Sequence, residues 1–208
     1  MKEVTIEQFL YQLGSKDPVP GGGGAAALGN AIGAALGQMV TNLTTGKKKF
    51  AQYESELQQS LHMLEKLKKV SLEFVEKDAK AFIPVAKAYS LPKNTEEEIN
   101  YRNQFMEEAL LGATIVPIEM MEVVLQVIII LERLAKIGSR LALSDIGVGI
   151  QFCRSALLSS SMNVFINTKM MSNKQKAKEL EEKANTLIGE GTEKCDEIFA
   201  YVLSEISN

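Results

Sequence analysis

The glycine-rich stretch near the start of the chain restricts its fold more than any other segment. Pro18 and Pro20 precede four consecutive glycines (Gly21, Gly22, Gly23 and Gly24), and alanines and glycines continue to Gly37. Proline fixes φ and lacks an N–H, whereas glycine lets other groups approach the main chain closely. The stretch therefore predicts a rigid approach, a bare main-chain cradle and a helix N-terminus whose unpaired N–H groups can bind an anion or a carbonyl. A loop followed by a tightly packed helix explains the same residues equally well.

The helix that follows, from about residue 25 to residue 43, has a smooth face. Gly29, Gly33 and Gly37 recur every four residues. Each glycine within a helix costs about 1 kcal/mol relative to alanine. We therefore expect this groove to be used, either by a helix that packs closely or by a ligand.

The remainder of the chain predicts helices only. Capping boxes at Thr5 and Thr95 begin two helices, which are expected to end near residues 13 and 137. Apolar residues three and four positions apart predict a helix from residue 50 to 89. Ser144 and Asp145 are expected to cap a helix that runs to about residue 165, before a loop over 167–172. Asn173 is expected to cap the last helix, which runs to residue 206.

Two prolines fall inside these predicted helices. Pro84 and Pro117 each remove one backbone hydrogen bond, so we expect a kink at each. No run of residues alternates with period two, as a strand would. The sequence thus predicts an all-α protein, a single multihelical domain over residues 1–208 with six or seven helices, two of them kinked.

Composition and charge exclude several classes of function. Lys and Arg total 23 against 26 Asp and Glu, and no basic stripe with interleaved aromatics is present, which argues against nucleic-acid binding. The apolar run 123–131 is too short to span a membrane. Cys153 and Cys195 lie far apart without the spacing of metal ligands, which predicts buried, reduced thiols. With no signal-peptide pattern at the N-terminus, we expect a cytoplasmic protein.

Two nucleotide-binding patterns are matched only superficially. Gly22 and Gly24 fit a dinucleotide fingerprint, but no strand precedes them and no acidic residue follows at the required distance. Gly46 and Lys47 lack the remainder of a phosphate-binding loop. His62, the single histidine, lies in a charged helical segment without partners, so we expect it at the surface.

A few polar residues stand in apolar surroundings and are candidates for a site. They are Asp78, Arg102, Asp145, Asn163 and Asn167. Each is explained as well by a helix cap or by a satisfied hydrogen bond in the core.

Taken in order, seven short stretches give the chain a resemblance to a known family. They are 20–23 (PGGG), 43–48 (LT-x-GKK), 78–82 (DA-x-AF), 88–93 (AY-x-LPK) with Thr95 and Arg102, 116–117 (VP), 144–148 (SD-x-GV) and 163–167 (NV-x-IN). The set resembles the cyclodeaminase/cyclohydrolase family of tetrahydrofolate enzymes over about residues 4–170. Gly24 and Ser139 stand where that family usually has serine and asparagine.

The resemblance implies a helical homodimer, in its stand-alone form, that works on a tetrahydrofolate derivative without metal or other cofactor. It implies ring closure or opening at the one-carbon bridge between N5 and N10, by a formiminotetrahydrofolate cyclodeaminase or a methenyltetrahydrofolate cyclohydrolase. A folate-binding relative without turnover and a helical dimeric interaction protein remain alternatives.

The resemblance also suggests roles for individual residues. Asp78 or Asp145 would shuttle the proton, and Asn163 and Asn167 would orient the pteridine or the attacking group. Lys47, Lys48 and Arg102 would hold the carboxylates of the glutamate tail of the substrate. The remaining candidates would also bind the substrate: Gly21, Gly22, Gly23, Gly24 and Ser144.

Overall fold

A computed structural model describes residues 4–207, and in that range the protein consists of helices without any strand. Six α-helices follow one another: α1 (Ile6–Leu13), α2 (Gly22–Thr44), α3 (Glu54–Ser90), α4 (Glu96–Ile137), α5 (Leu143–Met170) and α6 (Lys174–Ile206). Short 3-10 helices cover Lys48–Tyr53 and Arg140–Ala142. The predicted all-α fold is confirmed, and so are the capping boxes at Thr5 and Thr95.

Helices α2 and α3 run antiparallel in a constant register. The amide of Asn30 in α2 donates to the hydroxyl of Ser71 in α3 over 2.8 Å. Seven residues before Asn30, Gly23 lies against Asp78, which is seven residues after Ser71. Seven residues in the other direction, Gly37 lies against Leu64. We call these three pairs, two helical turns apart, the α2–α3 ladder.

The glycine groove of α2 receives α5, also antiparallel. A Cβ at Gly33 would lie 2.5 Å from the sulfur of Cys153 and 3.0 Å from the carbonyl oxygen of Gly149. A Cβ at Gly29 would make only an ordinary contact, 3.7 Å from the carbonyl oxygen of Phe152. Of the two uses predicted for the groove, the structure therefore has close helix packing.

Helix α4 forms the centre of the molecule, between α3, α5 and α6. Leu110, Val124, Ile128 and Leu131 of this helix are fully buried. Two segments, Glu96–Ile137 and Arg140–Met170, are long and apolar enough to cross a membrane, and half of the most apolar window of each is buried within the protein. Core helices of soluble proteins meet the same test of length and composition.

Three predicted boundaries are wrong, and at two of them, the start of α2 and the end of α5, a side chain of another helix supplies a hydrogen bond that local sequence does not reveal. Helix α2 begins at Gly22, so the glycines form its first turn and not a loop. Helix α5 begins after Ala142 with no side-chain cap, so Ser144 and Asp145 are not caps. It also continues to Met170, through the predicted loop, and Thr168 near its end donates to Glu181 of α6 over 2.6 Å.

The predictions for the two cysteines and the single histidine are confirmed. Cys153 and Cys195 are both buried free thiols, as expected. His62 is exposed. Pro84 and Pro117 both lie inside continuous helices, α3 and α4.

Candidate functional site

The N-terminus of α2 lies directly against a carboxylate of α3. The first backbone hydrogen bond of α2 runs from Ala25 N–H to Gly21 C=O, so the N–H groups of residues 22–24 have no acceptor within the helix. The Gly24 N–H donates to the carboxylate of Asp78. A Cβ at Gly23 would lie 2.2 Å from Asp78 Oδ1, so only glycine allows this approach. Asp78 thus caps α2 from a neighbouring helix.

The environment of Asp78 changes its acidity. The side chain is half-buried, and its burial raises the pKa of the carboxyl above the ordinary range. The hydrogen bond from Gly24 N–H acts in the opposite direction and offsets part of the rise. A carboxyl group with a raised pKa exchanges protons more readily near neutral pH, which suits a general acid or base.

Two asparagines of α5 stand beside this contact. A Cβ at Gly22 would lie 4.0 Å from Asn163 Nδ2, which donates to Ser159 C=O over 3.2 Å. One turn further, Asn167 Nδ2 donates to Ala113 C=O over 3.0 Å. Within residues 4–207 the Oδ1 atoms of both asparagines have no hydrogen-bond donor. Both oxygens therefore remain free to accept a hydrogen bond.

The bond from Asn167 has a structural cause in α4. Pro117 has no N–H, so the carbonyl oxygen of Ala113, four residues before it, has no donor within the helix. Asn167 supplies that donor from α5. The amide end of Asn167 is therefore part of the scaffold, and this interaction fixes where its carbonyl end points.

Helices α3 and α5 continue past the N-terminus of α2 and are in contact beyond it. Tyr89 Oη of α3 lies 3.1 Å from Met170 Sδ of α5. Between this contact and the α2 N-terminus, α3 presents Phe82, one turn after Asp78 and 38% exposed. We use the name α2-end cleft for the surface region next to the N-terminus of α2 that holds Gly22, Asp78, Phe82, Tyr89, Asn163 and Asn167. It holds a titratable carboxyl and two partly exposed aromatic side chains of α3, a combination that suits a flat heterocycle.

Phe82 and Tyr89 were not among the predicted site residues, although both lie in the stretches that carry the resemblance. Their spacing of one and three turns from Asp78 puts them on one face of α3. That spacing is the signal by which the sequence could have revealed them.

Four other predicted residues lie at the opposite end of the α2–α5 pair. Lys47 and Lys48 follow the end of α2 and are exposed. Ser139 N–H, just before α5, donates to Thr44 Oγ1 over 2.9 Å and holds the start of α5 beside the end of α2. Ser144 and Asp145 lie in the first turn of α5. The 18 residues from Asp145 to Asn163 span about 27 Å of helix, so one chain does not bring both sets together.

Arg102 lies nearer the α2-end cleft. Its Nε donates over 3.1 Å to the carbonyl oxygen of Ala88, in the last turn of α3. The neighbouring residue, Tyr89, bounds the cleft. Arg102 is half-buried and fastens the start of α4 to the end of α3.

Gly24 does not present its missing side chain to the cleft. A Cβ there would lie 3.4 Å from Pro20 Cβ, 3.6 Å from Val75 Cγ1 and 3.9 Å from Phe9 Cε2. These residues line a separate apolar cavity of about 230 Å³ beneath α1. A serine at position 24 would point into that cavity, so its absence leaves the donors around Asp78 unchanged. Glycine in place of the usual serine at this position therefore takes no hydroxyl away from the cradle.

Metal ligands are not grouped in the described part of the chain. No cluster of three or more His, Cys, Asp or Glu side chains that could hold a metal ion occurs within residues 4–207. The polar groups of the α2-end cleft are one carboxyl, two amides, the Tyr89 hydroxyl and backbone N–H groups.

Comparison with known proteins agrees with this architecture. The family model described as Formiminotransferase-cyclodeaminase matches residues 5–186. A methenyltetrahydrofolate cyclohydrolase of Methylorubrum extorquens is 39% identical over 203 residues, which cover 98% of both chains. The crystal structure of a formiminotetrahydrofolate cyclodeaminase from Thermotoga maritima superposes with a TM-score of 0.82, at 25% identity over 99% of this chain and 97% of the other.

Longer relatives match over part of their length. The formimidoyltransferase-cyclodeaminase of Rattus norvegicus is 32% identical over 169 residues, 81% of this chain, which spans only 31% of the rat protein. The model match and the full-length similarity confirm the resemblance read from the sequence: the chain belongs to the formiminotransferase-cyclodeaminase family.

Proposed function

We propose that this protein is an enzyme that acts on the one-carbon bridge between N5 and N10 of tetrahydrofolate. The observation that carries the proposal is the contact of the Asp78 carboxyl with the N-terminus of α2, beside Asn163, in a chain of this family. Two reactions fit. One hydrolyses 5,10-methenyltetrahydrofolate to 10-formyltetrahydrofolate, and the other converts 5-formiminotetrahydrofolate to the methenyl compound with release of ammonia.

Both reactions pass through a tetrahedral carbon and move protons. In hydrolysis, water adds to the cationic methenyl carbon and loses a proton, which leaves a hydroxyl on that carbon. The bond from the carbon to N5 then breaks as N5 accepts a proton and the hydroxyl loses its own to become the formyl C=O, so one proton is released overall. In cyclodeamination, N10 adds to the carbon of the protonated formimino group (CH=NH2+) and gives up its proton. The resulting amino nitrogen gains one proton and leaves as ammonia, which forms the methenyl cation. Each sequence needs a group that takes a proton at one atom and returns it at another.

Asp78 is suited to that role. As a carboxylate it attracts the cationic bridge and accepts the proton from water or N10. Its raised pKa makes the protonated form accessible for the return step. The free carbonyl oxygens of Asn163 and Asn167 would accept hydrogen bonds from ring N–H groups, and Phe82 would lie against the pteridine.

The two reactions have separate support. The full-length identity of 39% to a methenyltetrahydrofolate cyclohydrolase favours hydrolysis. The close structural similarity to a formiminotetrahydrofolate cyclodeaminase favours ammonia release as the second candidate.

Purified protein supplied separately with each folate distinguishes them, because the methenyl bridge has its own absorbance. Loss of methenyl absorbance without use of the formimino compound indicates the hydrolase, and formation of that absorbance with ammonia release indicates the deaminase. Binding of both folates without turnover would mean a non-catalytic relative. Absence of binding would favour the helical interaction protein and would refute the proposal.

The proposed enzyme is a homodimer, because its predicted residues lie at two ends of an antiparallel helix pair. The outer face of α2 and α5 carries partly exposed apolar side chains: Ile32, Met39, Leu43, Val148, Phe152, Met162 and Ile166. A two-fold axis through the middle of this face would place Lys47, Lys48, Ser144 and Asp145 of one subunit beside the α2-end cleft of the other. The two lysines would then hold the carboxylates of the glutamate tail.

Mixed dimers test this composite site. Subunits carrying Asp78→Asn and subunits carrying Lys47→Ala with Lys48→Ala are each expected to be poor enzymes. Random reassociation makes half of the dimers mixed, and one of the two sites in each mixed dimer is intact. We expect about a quarter of wild-type activity to return at low substrate concentration. No recovery would mean that both defects act within one subunit.

The dimer itself is tested by charge insertion. Met39→Glu on the outer face of α2 is expected to give monomers in analytical ultracentrifugation. Ile129→Glu on α4, at a position of similar exposure (46% against 43%), is the matched control and should leave the oligomeric state unchanged. We also propose that the enzyme is cytoplasmic and needs no cofactor beyond its tetrahydrofolate substrate, in keeping with two buried cysteines that remain free thiols.

A further inference from the structure

A buried polar cluster lies two helical turns from Asp78 and links three helices. Asn30 Nδ2 of α2 donates to Ser71 Oγ of α3 over 2.8 Å, and the Sγ–H of Cys153 in α5 donates to Asn30 Oδ1 over 3.6 Å. Ser71 Oγ in turn donates to Leu67 C=O over 2.7 Å. All three side chains that meet at this point are fully buried.

The surrounding surface of α2 does little to fix how the helices slide along one another. Its buried residues near Asn30 are small, among them Ala26, Ala27, Ala31 and Ala34. A smooth face of alanine and glycine lacks the large side chains that interlock in only one register. A polar side chain that finds its partner in one register alone selects that register, because any shift leaves a buried amide without a hydrogen bond.

Asn30 is placed to control the α2–α3 contact at the cleft. It lies seven residues after Gly23, and Ser71 lies seven residues before Asp78, so the two pairs are successive pairs of the α2–α3 ladder. If the register of the two helices shifted by a single residue, one helix would be displaced by about 1.5 Å along its axis. The residue that faces the other helix would also be turned by about 100°. Either displacement would take the Asp78 carboxylate away from the Gly24 N–H.

We propose that Asn30 and Ser71 are positioning residues, whose buried hydrogen bond sets the register of α2 against α3 and so holds the Asp78 carboxylate on the N-terminus of α2. Cys153 extends this control to α5, the helix that carries Asn163. The effect on turnover rests on the proposed function of Asp78. The effect on geometry does not.

The experiment replaces both hydrogen-bonding partners at once. Asn30→Leu with Ser71→Ala leaves no unpaired donor in this pair, so the double variant is expected to remain folded. Because a small misplacement of a catalytic group costs much of the rate, we expect kcat to fall about 10- to 100-fold while KM changes by less than about threefold. If the two residues contributed only to stability, the melting temperature would fall and kcat would stay close to the wild-type value.

A second readout does not depend on activity. The Gly24 N–H has no acceptor within α2, so its hydrogen exchange, followed by NMR, reports its contact with Asp78 directly. We expect its protection to fall in the double variant. Thr41→Val is the matched control, because it also removes a buried hydroxyl of α2 but one that bonds only within the helix, to Gly37 C=O. It should leave both kcat and Gly24 protection unchanged.

The exchange variant Asn30→Ser with Ser71→Asn restores an amide–hydroxyl bond at the same place and should keep kcat within about threefold of wild type. A folded double variant with wild-type kcat and a protected Gly24 amide overturns the proposal. If the double variant does not fold, a folded exchange variant with strongly reduced kcat and an unprotected Gly24 amide overturns it instead. A wild-type protein without turnover refutes the proposed function, and Gly24 exchange then still decides the role of Asn30.

Discussion

The carboxylate of Asp78 occupies the space in which a side chain at Gly23 would begin. All three atoms of that carboxylate would lie within 2.6 Å of a Cβ at position 23. The contact joins two features that are distant in sequence, a helix N-terminus without a local cap and an acidic residue in an apolar segment. It makes position 23 a direct test of how the site works.

Gly23→Ala should move the Asp78 carboxylate while it leaves the fold intact, because the obstructing atoms are the end of a side chain that can rotate. We expect kcat to fall about 100-fold and the free energy of unfolding to change by no more than about 1–2 kcal/mol. Steady-state kinetics with the preferred folate and urea denaturation measure both.

The neighbouring glycine provides the control. Gly24→Ser places its Cβ at ordinary contact distance from Pro20 and Val75, on the side away from Asp78. It should retain turnover within about threefold of wild type. Equal losses in the two variants would show that the first turn of α2 tolerates no side chain at all, whatever its direction.

Asp78→Asn should abolish proton transfer and leave a stable protein. The amide can still accept from the Gly24 N–H, and kcat is expected to drop by about 100-fold or more. A variant with the wild-type rate would remove Asp78 from the mechanism.

The same substitution has a predictable pH dependence. Burial raises the pKa of Asp78 in the folded state, so its bound proton favours folding at acid pH, and this contribution is lost as the pH rises through the raised value. The variant does not titrate at this position. We therefore expect its free energy of unfolding, relative to wild type, to increase between about pH 3 and pH 7. If the difference in free energy of unfolding between the variant and wild type did not change with pH, it would contradict the burial of the Asp78 carboxyl.

The helices were predictable because their signals are local, and the site was only partly so because its contacts are not. The capping box of Thr95 and the apolar periodicity of α3 need only neighbours within a turn or two. Nothing near Gly22 in sequence shows that Asp78, more than fifty residues away, would cap α2. In the same way, nothing near Asn167 in sequence shows that its amide would donate to Ala113 C=O, which Pro117 leaves without a donor in a different helix.

For a related reason, the sequence does not show which of the candidate site residues lie close together. Lys47 and Asp145 belong to the stretches that resemble the family, as Asp78 and Asn163 do, and order along the chain carries no information on distance between helix ends. Because α2 and α5 run antiparallel, Lys47 and Asp145 lie at one end of the helix pair, and Asp78 and Asn163 lie at the other. The residues that the sequence marks as candidates thus form two sets, which the fold places at opposite ends of the α2–α5 pair.

Two glycines of the α2 groove should respond oppositely to a methyl group. Gly33→Ala would bring a Cβ to 2.5 Å from Cys153 Sγ and 3.0 Å from a backbone oxygen, and should destabilise the protein by about 1–3 kcal/mol. Gly29→Ala meets only ordinary contacts and should stabilise it by about 0.5–1 kcal/mol. Thermal unfolding of both variants measures the difference, and stabilisation by Gly33→Ala would mean that α2 and α5 are not packed this closely.

Asn167 and Pro117 should be coupled. Asn167→Ala leaves the carbonyl oxygen of Ala113 without a donor and is expected to cost about 1–2 kcal/mol. Pro117→Ala restores the missing N–H within α4, so the second substitution should cost less in that background. A double-mutant cycle by urea denaturation measures the coupling, and additive effects would exclude it.

Both cysteines should be inert in the folded protein. Burial raises the pKa of Cys195 to about 12, and it raises the pKa of Cys153 strongly. Because the thiolate is the reactive form, we expect neither residue to react with a thiol reagent at pH 8 until denaturant is added. One thiol that reacts in the native state within minutes would show that its helix opens locally.

The α2–α3 ladder also limits how the gene can change in length. Its pairs recur every seven residues on both helices, so one added or deleted codon between Gly23 and Gly37 would turn every later residue by about 100°. An insertion keeps all three pairs only if it adds seven residues here and seven more between Leu64 and Asp78. Two such events in separate segments would have to occur together. We therefore expect these two segments to have fixed lengths among catalytically active members of the family, while gaps collect in the turns between helices.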